Sequence, residues 1–127
     1  MQSDVSGLQV LKNGKWAAIE PIVNAFVVNL GDQLQVVSNG RFRSVEHRAV
    51  TNMSAARISI PTFYLPGDDA FIAPATTMID KQQPALYRGY HFEDFLRAFW
   101  SWARKAKSLL GKSQDRMINK FQWYRNP

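Results

Sequence analysis

Three side chains in this sequence are of types that could act together: His47, Arg57 and Ser59. His47 is one of only two histidines in 127 residues. An imidazole can ligate a metal or move a proton, although a lone histidine is more often packed or hydrogen-bonded in place. Arg57 follows ten residues later and Ser59 two beyond it. Residues i and i+2 of a strand face the same side, so Arg57 and Ser59 point together if this segment is a strand. A guanidinium pairs with a carboxylate through two parallel hydrogen bonds, and a neighbouring hydroxyl adds a third donor. Arg57 and Ser59 therefore read as a carboxylate receptor. If the strands carrying His47 and Arg57 pair, an imidazole at one end and a carboxylate clamp at the other would line one cavity, which suits a chelating 2-oxo acid.

The elements that would hold these residues are short strands. Residues 8–11 and 15–19 flank Asn13-Gly14, a strong two-residue hairpin signal. Residues 25–30 are a nearly continuous apolar run, expected as a strand buried on both faces. Residues 33–37 are expected as a short helix, and Ser38-Asn39-Gly40 as a turn. Residues 42–50 are expected as a strand with His47, Val45 and Ala49 on one face. Residues 57–65 are expected as another, interrupted at Pro61. A last short strand covers residues 70–73. The period then changes. Phe92, Phe95, Leu96, Phe99, Ala103, Ala106 and Leu110 recur at helical spacing, with Glu93 and Asp94 in the first turn and Gly111 after the end. Phe63, Tyr64, Phe99, Trp100 and Trp102 weigh more as packing than as pocket lining. The fold class is mainly β with a C-terminal helix, a sandwich or jelly roll.

Composition excludes several kinds of chemistry. There are no cysteines, so disulfides and thiolate sites are ruled out, and a metal would need His, carboxylate or water. The glycines are isolated, with no phosphate-cradling loop, and no serine lies in a Gly-x-Ser-x-Gly elbow. No apolar run approaches the ~18 residues of a membrane span. A cytoplasmic protein is expected. The net charge of +6 is concentrated after residue 96, and a solvated basic helix explains it better than a nucleic-acid or membrane patch.

The segment Gly7-Leu-Gln-Val-Leu-Lys-Asn-Gly-Lys-Trp16, then Ala25-Phe-Val-Val-Asn-Leu-Gly-Asp32, then Leu34-Gln-Val-Val-Ser-Asn-Gly-Arg-Phe-Arg-Ser-Val-Glu-His-Arg-Ala-Val-Thr-Asn52 and Arg57-Ile-Ser59, closely resembles the plant-type 2-oxoglutarate- and Fe(II)-dependent dioxygenases, the isopenicillin N synthase-like group. The resemblance runs from residue 5 to about residue 105. It implies a partial double-stranded β-helix (jelly roll), with residues 1–91 as the core and 92–127 as the C-terminal helix and basic tail of the same domain. It also implies His47 as an iron ligand, Arg57 and Ser59 on the distal carboxylate of 2-oxoglutarate, Fe(II) and 2-oxoglutarate as cofactor and cosubstrate, and room for ascorbate as a reductant. The expected reaction is hydroxylation or desaturation of a small specialised metabolite or hormone, with O2 as co-reactant.

The family's His-x-Asp motif, which supplies the other two iron ligands, lies upstream of the segment matching Gly7-Leu-Gln-Val10, where this chain has six residues. His91 matches no ligand position. The chain is therefore expected to be the C-terminal portion of such a domain, truncated before that motif. The alternative is a catalytically inactive fragment or pseudoenzyme serving as an interaction module. Either way Phe26, Val28, Ile58 and Phe63 are expected to lack full cover, and the isolated chain to self-associate through exposed edges. Neither nucleic acid nor membrane is an expected partner.

Overall fold

The computed structural model describes residues 5–51 and 53–109. The expected glycine cap at Gly111 and a second short helix in the last fifteen residues lie outside them. The described chain forms two compact units. One comprises residues 5–31, 44–51 and 53–64, the other residues 32–43 and 65–109.

The first unit is a three-stranded antiparallel sheet. Strands β1 (Leu8–Lys12) and β2 (Lys15–Ile19) form the expected hairpin, with Leu11 opposite Trp16 and Leu8 opposite Ile19. Asn13 and Gly14 take φ of 53° and 74°. Two successive left-handed residues match the right-handed twist of the strands they join. Strand β3 (His47–Ala49) pairs with the other edge of β1, His47 opposite Val10 and Ala49 opposite Leu8, so β1 is central. Gln9, Leu11, Trp16 and Arg48 therefore share one face. The Arg48 guanidinium lies 4.2 Å from the Trp16 ring centroid, and its Nε donates to Gln9 Oε1 at 2.8 Å. Cross-strand neighbours of this kind fix register.

The second unit holds every buried hydrophobic side chain among the described residues: Val36, Ile72, Tyr87, Tyr90 and Phe92. Helix α1 (Asp32–Val37) forms as expected, with an acid in its first turn. It ends in a Schellman turn. Asn39 sits left-handed at φ 51°, Gly40 N–H reaches Gln35 O at 2.8 Å, and Asn39 N–H reaches Val36 O at 2.9 Å. These bonds satisfy carbonyls the helix leaves open. Strands β4 (Phe71–Ile72) and β5 (Tyr90–His91) pair antiparallel, and helix α2 (Phe92–Leu109) follows directly. The first amides of α2, at Phe92 and Glu93, donate to Ala70 O and Asp68 O, both at 2.9 Å. Phe92, Phe95 and Phe99 stack along the helix with centroids 5.9 and 6.2 Å apart. Across the unit, Gln35 Nε2 donates to Tyr87 Oη at 2.9 Å and Tyr90 Oη to Gln33 Oε1 at 2.6 Å.

Four expected strands are shorter or absent; the one expected over residues 70–73 is reduced to β4. Residues 25–30 form neither strand nor helix, and Phe26 and Val28 are 79% and 80% exposed rather than buried. A strand apolar on both faces needs neighbours on both edges and cover on both sides, and among the described residues none pairs with this run. The strand expected over residues 42–50 contracts to β3, although alternating exposure runs back to Ser44. Residues 57–65 keep only an isolated bridge at Ser59. Pro61 has no N–H to give a ladder. Phe63 and Tyr64, expected as packing residues, are exposed.

Candidate functional site

His47 stands on the face of the sheet that also carries Leu8, Val10, Ala17, Ile19 and Ala49, so it is the one imidazole on a largely apolar surface. Its side chain is exposed. Nδ1 lies 3.1 Å from Val45 O. A carbonyl only accepts, so this contact is a hydrogen bond when Nδ1 carries the proton. In the neutral ring that leaves the lone pair on Nε2. Metal-bound histidines are commonly held in this way, one nitrogen donating to a carbonyl and the other ligating.

The structure brings Arg57 and Ser59 together. Arg57 Nη1 donates to Ser59 Oγ at 3.1 Å. Ser59 accepts that bond, so its own O–H remains to be donated. A carboxylate placed beside the pair would receive guanidinium N–H groups and the serine hydroxyl at once. The stem of Arg57 lies against Gly7. A Cβ on Gly7 would stand 2.6 Å from Arg57 Cδ and 3.0 Å from Nε. The Nε is shielded from solvent.

These hydrogen bonds join Arg57 to Ser59 and His47 to Val45, not His47 to the pair. The register puts His47 opposite Val10. Arg57 is packed on Gly7, three residues along the chain, and Gly7 O accepts from Val50 N–H at 2.8 Å. Gly7 is one isolated glycine among several in the sequence, and only its buried position beneath Arg57 distinguishes it.

Iron fits this arrangement only in part. His47 offers one donor, and among the described residues no cluster of three His, Cys, Asp or Glu could hold a metal ion. His91 pairs with Phe71 in β5, its Nδ1 is 3.2 Å from Asp69 O, and its ring meets the Phe71 ring edge-on at 5.3 Å. These contacts account for it structurally. No helix among the described residues is long and apolar enough to cross a membrane.

The chain is similar to known proteins over most of its length. Protein DMR6-LIKE OXYGENASE 2 of Arabidopsis thaliana is 49% identical over 112 residues, covering 87% of this chain and 32% of that protein. Flavanone 3-dioxygenase 2 of rice (Oryza sativa subsp. japonica) is 46% identical over 101 residues, covering 80% of this chain and 30% of that protein. The chain thus spans about a third of the length of the curated relatives it matches. Among solved structures, the rice dioxygenase for auxin oxidation superposes with a TM-score of 0.73 at 34% identity, over 80% of this chain and 36% of that one. JOX2, solved in complex with 2OG, Fe and JA, superposes with a TM-score of 0.73 at 28% identity, over 100% of this chain and 35% of that one. These neighbours have the double-stranded β-helix fold, so the expected fold class, strands of a partial jelly roll followed by a C-terminal helix, holds. The 2OG-Fe(II) oxygenase superfamily profile matches residues 1–66, the part that contains His47, Arg57 and Ser59. With more than half its length matched by that profile and its fold shared with those solved structures, this chain belongs to the 2OG-Fe(II) oxygenase superfamily.

Proposed function

We propose that this chain is the cosubstrate-holding portion of a 2-oxoglutarate- and Fe(II)-dependent dioxygenase that hydroxylates or desaturates a small specialised metabolite or hormone. The observation that carries the reading is the Arg57 Nη1–Ser59 Oγ contact at 3.1 Å, a preformed receptor for a carboxylate. In this reading Arg57 and Ser59 hold the distal carboxylate of 2-oxoglutarate, and His47 presents Nε2 as one iron ligand. Bound iron and 2-oxoglutarate would supply O2 activation coupled to decarboxylation of the 2-oxo acid. The chain's own part is to bind and orient the cosubstrate. The substrate class rests on relatives whose names specify a flavanone and, for solved neighbours, auxin oxidation. The division into a core over 1–91 and a helix with basic tail over 92–127 belongs to the same reading, as does a cytoplasmic location.

Titration tests it. The chain is expected to bind 2-oxoglutarate in preference to 2-oxopentanoate, which has the same keto-acid end and a methyl group in place of the distal carboxylate. Fe(II) is expected to bind weakly, because one imidazole is a poor site alone. Equal affinity for the two acids would overturn the assignment of Arg57 and Ser59. Tight stoichiometric Fe(II) binding would overturn the account of the ligand set.

A second reading, a non-catalytic interaction module, is favoured by the exposed side chains of the first unit. Among its described residues no hydrophobic side chain is buried, and Phe26, Val28, Ile58 and Phe63 are each more than 70% exposed. Apolar surface of this extent marks an interaction site, and a second copy of the chain is the simplest occupant. Sedimentation at rising concentration is expected to show dimers or larger species, with Phe26→Ser and Phe63→Ser shifting the chain toward monomer. A monomer at every concentration would remove this reading.

A further inference from the structure

We infer that Gly7 is a positioning residue for the carboxylate receptor, seating the Arg57 side chain through the absence of its own. This inference rests on the cosubstrate reading of Arg57. The observation is a close approach. An added Cβ at Gly7 would meet Arg57 Cδ at 2.6 Å, Arg57 Nε at 3.0 Å and Val50 O at 3.1 Å. Real Cβ contacts do not fall below about 3 Å, because repulsion rises steeply inside van der Waals contact, so any side chain here moves Arg57 or the backbone beneath it.

The backbone has little room to move. Gly7 O accepts from Val50 N–H at 2.8 Å, and the next residue, Leu8, begins the central strand opposite Ile19 on one edge and Ala49 on the other. Gly7 is buried. The Arg57 stem is the softer partner, so a methyl group at Gly7 displaces the arginine first. Its guanidinium sits at the end of that stem and holds Ser59 Oγ at 3.1 Å. Lifting Cδ and Nε off Gly7 turns the guanidinium plane and parts it from the serine. Bidentate pairing with a carboxylate depends on that plane, since the fork is rigid. Gly7 therefore controls recognition of the distal carboxylate without touching it.

The test compares 2-oxoglutarate with 2-oxopentanoate on four forms of the whole chain: wild type, Gly7→Ala, Arg57→Ala and the double variant. Dissociation constants are read by calorimetry or ligand-observed NMR. Gly7→Ala is expected to cut the preference for 2-oxoglutarate about tenfold, with 2-oxopentanoate binding unchanged. A merely structural role would weaken both acids alike. The double variant is expected to match Arg57→Ala, because both changes act on one interaction. Retained preference in Gly7→Ala, with loss in Arg57→Ala, overturns the inference and leaves the cosubstrate reading standing. Retained preference in Arg57→Ala overturns that reading itself. Should Gly7→Ala fail to fold, the wild-type chain decides. A Gly7 Hα–Arg57 Hδ cross-peak is expected, and the Gly7 signals should shift with 2-oxoglutarate but not with 2-oxopentanoate. Gly7 signals indifferent to both acids overturn the inference.

Discussion

Arg57→Ala is expected to weaken 2-oxoglutarate binding by about 10- to 100-fold, the equivalent of one charge-assisted hydrogen bond at about 1.5–3 kcal/mol. The physical case is the geometry of the pair. Arg57 Nη1 is held by Ser59 Oγ at 3.1 Å, and its stem is packed against Gly7. A guanidinium held at both stem and tip loses little further freedom when a carboxylate arrives, so more of the interaction appears as affinity. Arg57→Lys is expected to recover only part of the loss. Its ammonium restores charge but not the fork, and it cannot reproduce the parallel pair of bonds. Ser59→Ala should cost less, about fivefold, because it removes one neutral donor. Calorimetric titration with 2-oxoglutarate reads all three. Unchanged affinity in Arg57→Ala would place the cosubstrate elsewhere.

The largest effect on stability is expected at Asn39. Its side chain spends both donors and its acceptor. Nδ2 donates to Met78 O at 3.3 Å and to Pro84 O at 3.1 Å, and Oδ1 accepts from Leu86 N–H at 2.8 Å. One residue at the end of α1 thus ties down the 3-10 turn Thr76–Met78 and the loop that follows it. Its backbone is left-handed at φ 51°, a conformation asparagine tolerates better than most residues. Asn39→Ala removes about 1 kcal/mol for each bond and adds about 1 kcal/mol for alanine in that conformation. The total, about 3–4 kcal/mol, is a large share of the 5–15 kcal/mol typical of a folded domain. Asn39→Gly should recover about 1 kcal/mol by relieving the backbone alone. Urea unfolding followed by circular dichroism measures both. A midpoint for Asn39→Ala equal to wild type would show that the three bonds contribute nothing net.

Local chemistry was legible in the residues. Asn13-Gly14 specifies its hairpin because two left-handed residues are needed there and those two types accept the conformation. The spacing of Phe92, Phe95, Leu96 and Phe99 specifies α2, whose buried stripe is where that periodicity puts it. Arg57 and Ser59 are two residues apart and within side-chain reach of one another, and they meet although the strand expected there does not form. In each case the causes lie within a turn or two of chain.

What the residues could not decide alone is what depends on distant partners. The run over 25–30 is apolar enough for a buried strand, yet Phe26 and Val28 lie open, because burial and a ladder are supplied by other segments. The extent of β3 depends on β1, which pairs with it across some forty residues of sequence. Asn39 reads locally as a turn residue; its three anchors are brought by a loop about forty residues later. His47, Arg57 and Ser59, the starting point, came from residue type, spacing and family resemblance. The Val45 carbonyl beside the His47 ring is two residues away and local; tertiary structure added the bare Cα of Gly7 on which Arg57 rests. Sequence sets φ/ψ preference and periodicity over a few residues, while close approach between remote segments exists only once the chain has folded.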